Sequence, residues 1–190
     1  MIPLIETKSS EEILLYQEEK LREHLAYLAE KSPYYQRLFK QHSIDWTTLK
    51  SLKDLSKIPT TKKEDLYTNN DDFFCVPTQE IVDFATTSGT LGDPVTFGLT
   101  DEDLDRLAYN EMISFQCASI QKGDRVQLMT TMDRRFMAGL AYFLGLRKMG
   151  ASVIRVGAGI PQLQWDSILL YKPKYLSLIH ISEPTRRYAI

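Results

Sequence analysis

From Arg125 onward the chain alternates short β-branched runs with amphipathic stretches of helical length, and this alternation leaves few folds open to it. A strand is predicted over 125–130, a helix from about Phe136 to Met149 stopped by Gly150, and a strand over 152–156. A helix over about 162–170 and a strand beginning near Lys174 follow. Strands separated by helices of this length are joined by right-handed crossovers, so they lie parallel in one sheet with helices over its faces. Ahead of them, Thr100 caps a long helix with Leu104, Leu107, Ala108, Met112 and Phe115 on one side, broken at Gly123-Asp124. The fold class is therefore α/β with a mostly parallel sheet.

The N-terminal part is helical. Ser9-Ser10-Glu11-Glu12 has the form of a capping box, and the helix it opens runs to about Glu30 with Leu14, Leu21, Leu25 and Leu28 on one face. Four such positions are too few heptads for a coiled coil, so this face is expected to pack onto the rest of the domain. Ser32-Pro33 starts a second helix with Tyr34, Tyr35, Leu38 and Phe39 as its apolar side. Short helical pieces follow around 49–55 and 62–67, the latter capped by Thr61 with Glu64. The expected division is a helical prelude over 1–70, a partial α/β domain over 71–175, and a separate tail over 176–190.

Between prelude and sheet lies Ile81 to Thr100. An apolar run, Ile81 to Ala85, enters Thr86-Thr87-Ser88-Gly89-Thr90-Leu91-Gly92-Asp93-Pro94, and a second strand-like run, Val95 to Leu99, leaves it. Glycines let backbone N–H groups face inward, and Ser and Thr hydroxyls add donors, so such a loop can ring a phosphate with hydrogen bonds. The same residues are ordinary turn formers, and the residues alone leave both readings open. The nucleotide-hydrolase loop is excluded because Asp93, not lysine, follows Gly92. The dinucleotide fingerprint opens a helix, whereas Val95 to Leu99 reads as a strand.

Thr87-Ser88-Gly89-Thr90-Leu91-Gly92-Asp93-Pro94 resembles the phosphate-binding signature of adenylate-forming enzymes, the superfamily of acyl-CoA synthetases. The flanks narrow the resemblance to phenylacetate-CoA ligases: Ser32-Pro33-Tyr34-Tyr35, the run from Ile58 to Leu66 (IPTTKKEDL), and Gly150-Ala151-Ser152-Val153-Ile154. The resemblance extends to about Tyr175. It implies an incomplete large N-terminal domain of an adenylate-forming enzyme, in which Thr87, Ser88, Gly89, Thr90 and Gly92 bind the ATP phosphates. The reaction implied is two-step: a carboxylate and Mg²⁺-bound ATP give acyl-adenylate and pyrophosphate, and the thiol of CoA then displaces AMP. The partners implied are a small aryl or arylalkyl carboxylic acid, ATP, Mg²⁺ and CoA. Two departures stand out. Leu91 replaces the usual second threonine, and no lysine occurs between Thr86 and Thr100. Asp93 adds a negative charge, which repels phosphate unless a cation intervenes.

In open α/β sheets, ligands bind beyond the carboxyl ends of the strands. Two further stretches qualify, Thr131 to Phe136 and Gly157-Ala158-Gly159. The resemblance places them near the carboxylate pocket, with Phe136 as an apolar wall, Arg135 (or Arg134) facing an anion, and Gly157 and Gly159 beside the acyl group. Taken singly, each residue is better accounted for by helix capping at Asp133, solvated arginines and a glycine turn. No catalytic residue is expected in this chain. The family's aromatic-Gly-x-Thr-Glu segment, its ribose-binding aspartate and its C-terminal lysine have no match here, so the chain is expected to be inactive alone. From Leu176 the sequence departs from the family and resembles a translated sequencing adapter.

Charge excludes other classes. With 23 Lys plus Arg against 25 Asp plus Glu, nothing marks an electrostatic nucleic-acid binder or a membrane-surface protein. No leader-like start or membrane-length apolar run is visible, and the expected location is cytoplasmic. Cys75 and Cys117 are isolated, and His24, His42 and His180 lack metal-ligand spacing, so no metal site is expected. The competing class is a non-catalytic module, in which the loop holds a small anion or merely turns and the first helix docks a partner.

Overall fold

The computed structural model describes residues 4–87 and 94–177. The chain divides into two compact units, Met1–Ile81 with Thr87–Gly98, and Val82–Thr86 with Leu99–Ile190. The polypeptide thus passes from one unit to the other and back around the glycine-rich loop.

In the first unit, α1 (Ser10–Lys31) opens with the predicted capping box: Glu12 N–H donates to Ser9 Oγ at 3.2 Å, and Ser9 N–H to Glu12 Oε2 at 3.0 Å. Helix α2 (Pro33–Gln41) starts at Ser32, with Pro33 in its first turn, where a missing N–H goes unnoticed. Leu25 and Phe39 from these helices meet Leu49 in a buried cluster completed by Leu21, Ala29, Tyr35, Ile44, Trp46 and Ile58. Each large apolar side chain buried there contributes about 1.5–3 kcal/mol. The cluster begins three turns into α1. Leu14, expected on the packed face, is 45% exposed because the first turns of the helix extend past that cluster.

The piece expected over 49–55 is a 3-10 turn, Leu52–Lys57, preceded by another at Trp46–Thr48. Helix α3 (Lys63–Thr68) starts later than expected, with Lys62 N–H donating to Asp65 Oδ2 at 2.8 Å. Thr61 and Glu64 do not cap it, because the Thr61 hydroxyl is engaged with Tyr35 Oη at 3.0 Å.

The strands flanking the loop are β1 (Asp83–Thr86) and β2 (Thr96–Leu99), each slightly shorter than its apolar run. Within the second unit, α4 (Asp101–Cys117) carries the expected cap, Asp103 N–H to Thr100 Oγ1 at 3.2 Å. Three parallel strands follow, β3 (Arg125–Leu128), β4 (Ser152–Arg155) and β5 (Tyr175–Ser177), in the order β4-β3-β5. Val126 lies opposite Val153 on one side and Tyr175 on the other. Helix α5 (Met137–Met149) connects β3 to β4, and α6 (Pro161–Tyr171) connects β4 to β5.

Alternation along β3 assigns the helices to faces. Val126 packs with Leu146 of α5, together with Ile120, Phe115, Met149, Ala151 and Val153. Gln127, pointing the other way, hydrogen-bonds the backbone of α6. The sheet is therefore covered on both faces, and its strand order reverses at β3. In open α/β sheets such a reversal is where ligands bind, beyond the carboxyl ends of the strands.

Two glycines set how closely α5 packs. A Cβ on Gly145 would stand 2.5 Å from Glu111 Cβ and 3.0 Å from Met112 N, so α4 and α5 cross almost backbone to backbone. Gly150 ends α5 at φ 81, where only glycine is unstrained. Among the described residues no helix is long and apolar enough to cross a membrane.

Candidate functional site

Of the predicted phosphate-binding residues, Ser88, Gly89, Thr90 and Gly92 lie outside the described residues, as does Asp93. Their anchors do not. Thr87 N–H donates to Val95 O at 3.0 Å, and Val95 N–H donates to Thr87 Oγ1 at 3.0 Å. This reciprocal pair clamps the base of the loop, using both the backbone and the hydroxyl oxygen of Thr87. A hydroxyl that accepts one N–H still has its own proton to donate. One residue further on, Thr96 is held the same way by a side chain: Asn70 Nδ2 donates to Thr96 O at 2.9 Å, and Thr96 N–H donates to Asn70 Oδ1 at 3.0 Å. Asn70 thus acts as a substitute strand for the exit of the loop. Sequence reasoning missed it, because an asparagine 26 residues upstream carries no local signal of that pairing.

In the second unit, β3 ends at Leu128, two residues short of the expected strand, and the chain continues through Met129 and Thr130 into Thr131 to Phe136. Asp133 does not cap α5 with its side chain. The cap residue is Phe136, whose N–H donates to the backbone oxygen of Asp133 at 3.2 Å. The Asp133 carboxylate instead sits 3.8 Å from Arg134 Nε, with both side chains largely in solvent. Phe136 is 37% exposed. Arg134 and Arg135 both take left-handed backbone conformations, φ 58 and φ 59. Each costs about 1–2 kcal/mol for a residue with a Cβ. Arg135 is fixed there by its carbonyl, which accepts Thr86 N–H at 3.1 Å, and its guanidinium faces solvent. No sequence signal foretells this, since arginine is not a left-handed former.

Gly139 explains how the segment is seated. A Cβ there would overlap Thr131 O and stand 2.9 Å from Thr131 C, so the first turn of α5 rests directly on the backbone of the segment. On the neighbouring strand, Gly157 and Gly159 take φ 76 and φ 94, and a Cβ on either would meet nothing within 4 Å. Both border open space at the carboxyl end of β4. Gly157 N–H reaches Leu128 O at 3.2 Å, which brings this turn beside the end of the central strand. Gly157 and Gly159 thus lie just beyond the carboxyl end of β4, and Arg135 and Phe136 in the segment that joins β3 to α5.

Other features add little chemistry. An open groove of 670 Å³ lined by Leu99, Asp103, Arg106, Tyr109, Asn110 and Met137 contains none of the candidate residues. Its Asp103 and Arg106 are paired to each other at 2.8 Å. Burial pushes the Cys75 thiol up, which makes it a poor nucleophile at neutral pH. Among the described residues no group of three or more His, Cys, Asp or Glu could hold a metal ion. His24 and His42 are exposed, and His180 lies outside the described residues.

No model of a protein family matches the chain. Curated relatives do. The chain is 31% identical over 176 residues to the phenylacetate-coenzyme A ligase of Thermus thermophilus, covering 92% of the chain and 39% of that protein. It is 31% identical over 170 residues to the Escherichia coli phenylacetate-coenzyme A ligase, covering 89% of the chain and 39% of the relative. The chain therefore spans about two-fifths of the length of these relatives. Among solved structures, a 2-hydroxyisobutyryl-CoA ligase in complex with 2-HIB-AMP and CoA superposes with a TM-score of 0.81 at 26% identity, over 90% of this chain and 38% of the other. An open conformation of the same ligase gives 0.81 at 25% identity, over 90% of this chain and 41% of the other. In sequence the chain matches phenylacetate-CoA ligases, and in fold it matches the N-terminal region of an adenylate-forming CoA ligase.

Proposed function

We propose that this chain is the pyrophosphate-side and acyl-pocket part of an ATP-dependent ligase that joins an aryl or arylalkyl carboxylate to CoA. The observation that carries the reading is the run Thr87 to Pro94 inside a stretch 31% identical to phenylacetate-coenzyme A ligases. In the proposal, the hydroxyls of Ser88 and Thr90, the N–H groups of Gly89 and Gly92, and the remaining proton of Thr87 bind the phosphates of ATP. The donor chemistry suits an anion, and the Thr87–Val95 clamp gives the loop a fixed base. ATP supplies the leaving group that activates the carboxylate. Mg²⁺ would arrive on the phosphate oxygens, which are hard ligands of the kind it prefers and would also offset the charge of Asp93.

The carboxylate's organic group would lie beyond the carboxyl ends of β3 and β4, with the ring of Phe136 as an apolar wall, Arg135 toward the carboxylate, and Gly157 and Gly159 leaving room. CoA and the adenylating lysine belong to parts of the enzyme with no match in this chain, so the chain alone is proposed to be inactive. The same reading places the reaction in the cytoplasm. The test is the double substitution Ser88→Ala with Thr90→Ala in the full-length ligase. Losing two charged-group hydrogen bonds at about 1.5–3 kcal/mol each predicts ATP use weakened tenfold or more. Unchanged ATP kinetics would remove the phosphate-binding role.

A further inference from the structure

Gln127 is completely buried in the central strand, an unusual place for an amide. Its neighbours Val126 and Leu128 face α5, and it faces α6. There Gln127 Nε2 donates to Gln164 O at 3.0 Å, in the first turn of α6. Gln164 in turn donates from its own Nε2 to Gly157 O at 3.1 Å. A two-step relay therefore runs from the middle of the sheet to the glycine turn at the end of β4.

Packing does not require this relay. A helical carbonyl such as Gln164 O has the amide four residues on as its partner in any case, so Gln127 is not needed to satisfy it. Among the described residues Gln127 Oε1 has no hydrogen-bond partner, a penalty an apolar residue of that size would avoid. A buried polar group kept despite an unsatisfied atom calls for an explanation other than stability. What the relay does hold is the Gly157 carbonyl, in a turn of two left-handed glycines whose other anchor is Gly157 N–H on Leu128 O at 3.2 Å.

We propose that Gln127 and Gln164 are positioning residues that fix the Gly157–Gly159 turn and thereby set which acyl groups the neighbouring pocket accepts. This rests on the reading above that the turn borders the acyl group. Gln164 sets the turn directly, and Gln127 sets the first turn of α6 that carries Gln164. Neither touches substrate.

The test has two arms. In the 190-residue chain, amide exchange at residues 157–160 is measured beside the melting temperature. Gln164→Ala, and the isosteric Gln164→Glu that lacks the donor, should each speed exchange in the turn about fivefold, the equivalent of one neutral hydrogen bond. Gln127→Leu should loosen the same turn while leaving the melting temperature equal or higher. Gln162→Ala, which removes only the exposed Gln162–Asp166 contact at 2.7 Å, should leave the turn unchanged. Unchanged exchange in the turn overturns the proposal. So does faster exchange spread evenly over the sheet with a lower melting temperature, since that marks a purely structural role.

In the full-length ligase, Gln164→Ala should raise KM for the carboxylate about fivefold and narrow the discrimination between a small and a bulky acid, with KM for ATP unchanged. A loosened turn with no change in acid selectivity overturns the specificity role. A wild-type enzyme that activates no carboxylate defeats the ligase reading itself, and the exchange arm still judges the relay.

Discussion

Gly139→Ala should lower stability although it places a better helix former in a helix. In α5 the change gains up to about 1 kcal/mol of helix propensity. The new Cβ, however, would overlap Thr131 O and stand 2.9 Å from Thr131 C and 3.1 Å from Met132 Cα. All are backbone atoms, so no rotamer change relieves the contact, and α5 or the Thr131 segment must shift. Overpacking of this kind costs about 1–3 kcal/mol, and a backbone obstacle puts it at the upper end. The net loss is about 2 kcal/mol, which for a unit of this size lowers the melting temperature by about 8–16 °C. Far-ultraviolet circular dichroism during a thermal melt of the chain reads it directly. A melting temperature unchanged or raised would show that α5 does not rest on Thr131, and the placement of Arg135 and Phe136 would fall with it.

Three further outcomes follow from the same geometry. Asn70→Ala removes both hydrogen bonds to Thr96 and should cost about 1–3 kcal/mol in denaturant unfolding, with Asn70→Asp intermediate because it keeps the acceptor. Glu12, hydrogen-bonded to Lys8 and to Ser9, has a carboxyl lowered to about 2. A depressed folded-state value means the cap's contribution is full above the ordinary carboxylate range and is lost as pH falls toward 2, so an NMR titration should find Glu12 protonating well below that range. Arg135→Ala should leave the fold intact, because Arg135 holds the segment through its carbonyl, which accepts Thr86 N–H, and its side chain is exposed. In the full-length ligase, the same change should weaken use of the carboxylate rather than of ATP.

Much of the second unit was legible because its signals are local. Each strand and helix from Thr100 to Tyr171 announces itself by period and by a cap or stop, and crossover handedness then leaves a parallel sheet as the outcome. What was not legible depends on contacts between distant residues or on backbone strain. The Asn70–Thr96 pair joins segments 26 residues apart. Arg134 and Arg135 are left-handed because the surrounding segment holds them, not because arginine prefers it. Thr61 looked like a cap until the Tyr35 phenol was seen to take its hydroxyl. Gln127 was half-visible: a glutamine inside the apolar run Val126 to Met129 is out of pattern, but its partner on α6 carries no sequence mark. The passage of the chain between units around the loop was likewise invisible, since a run of turn residues does not say which body its flanks join.

We propose that this chain forms part of an enzyme that activates carboxylates with ATP. The most direct test is carboxylate-dependent exchange of labelled pyrophosphate into ATP by the full-length protein. Exchange should require Mg²⁺, be stimulated by aryl or arylalkyl acids, and collapse in the Ser88→Ala, Thr90→Ala variant. Wild-type protein that is folded, binds no ATP and exchanges no pyrophosphate with any such acid would contradict it.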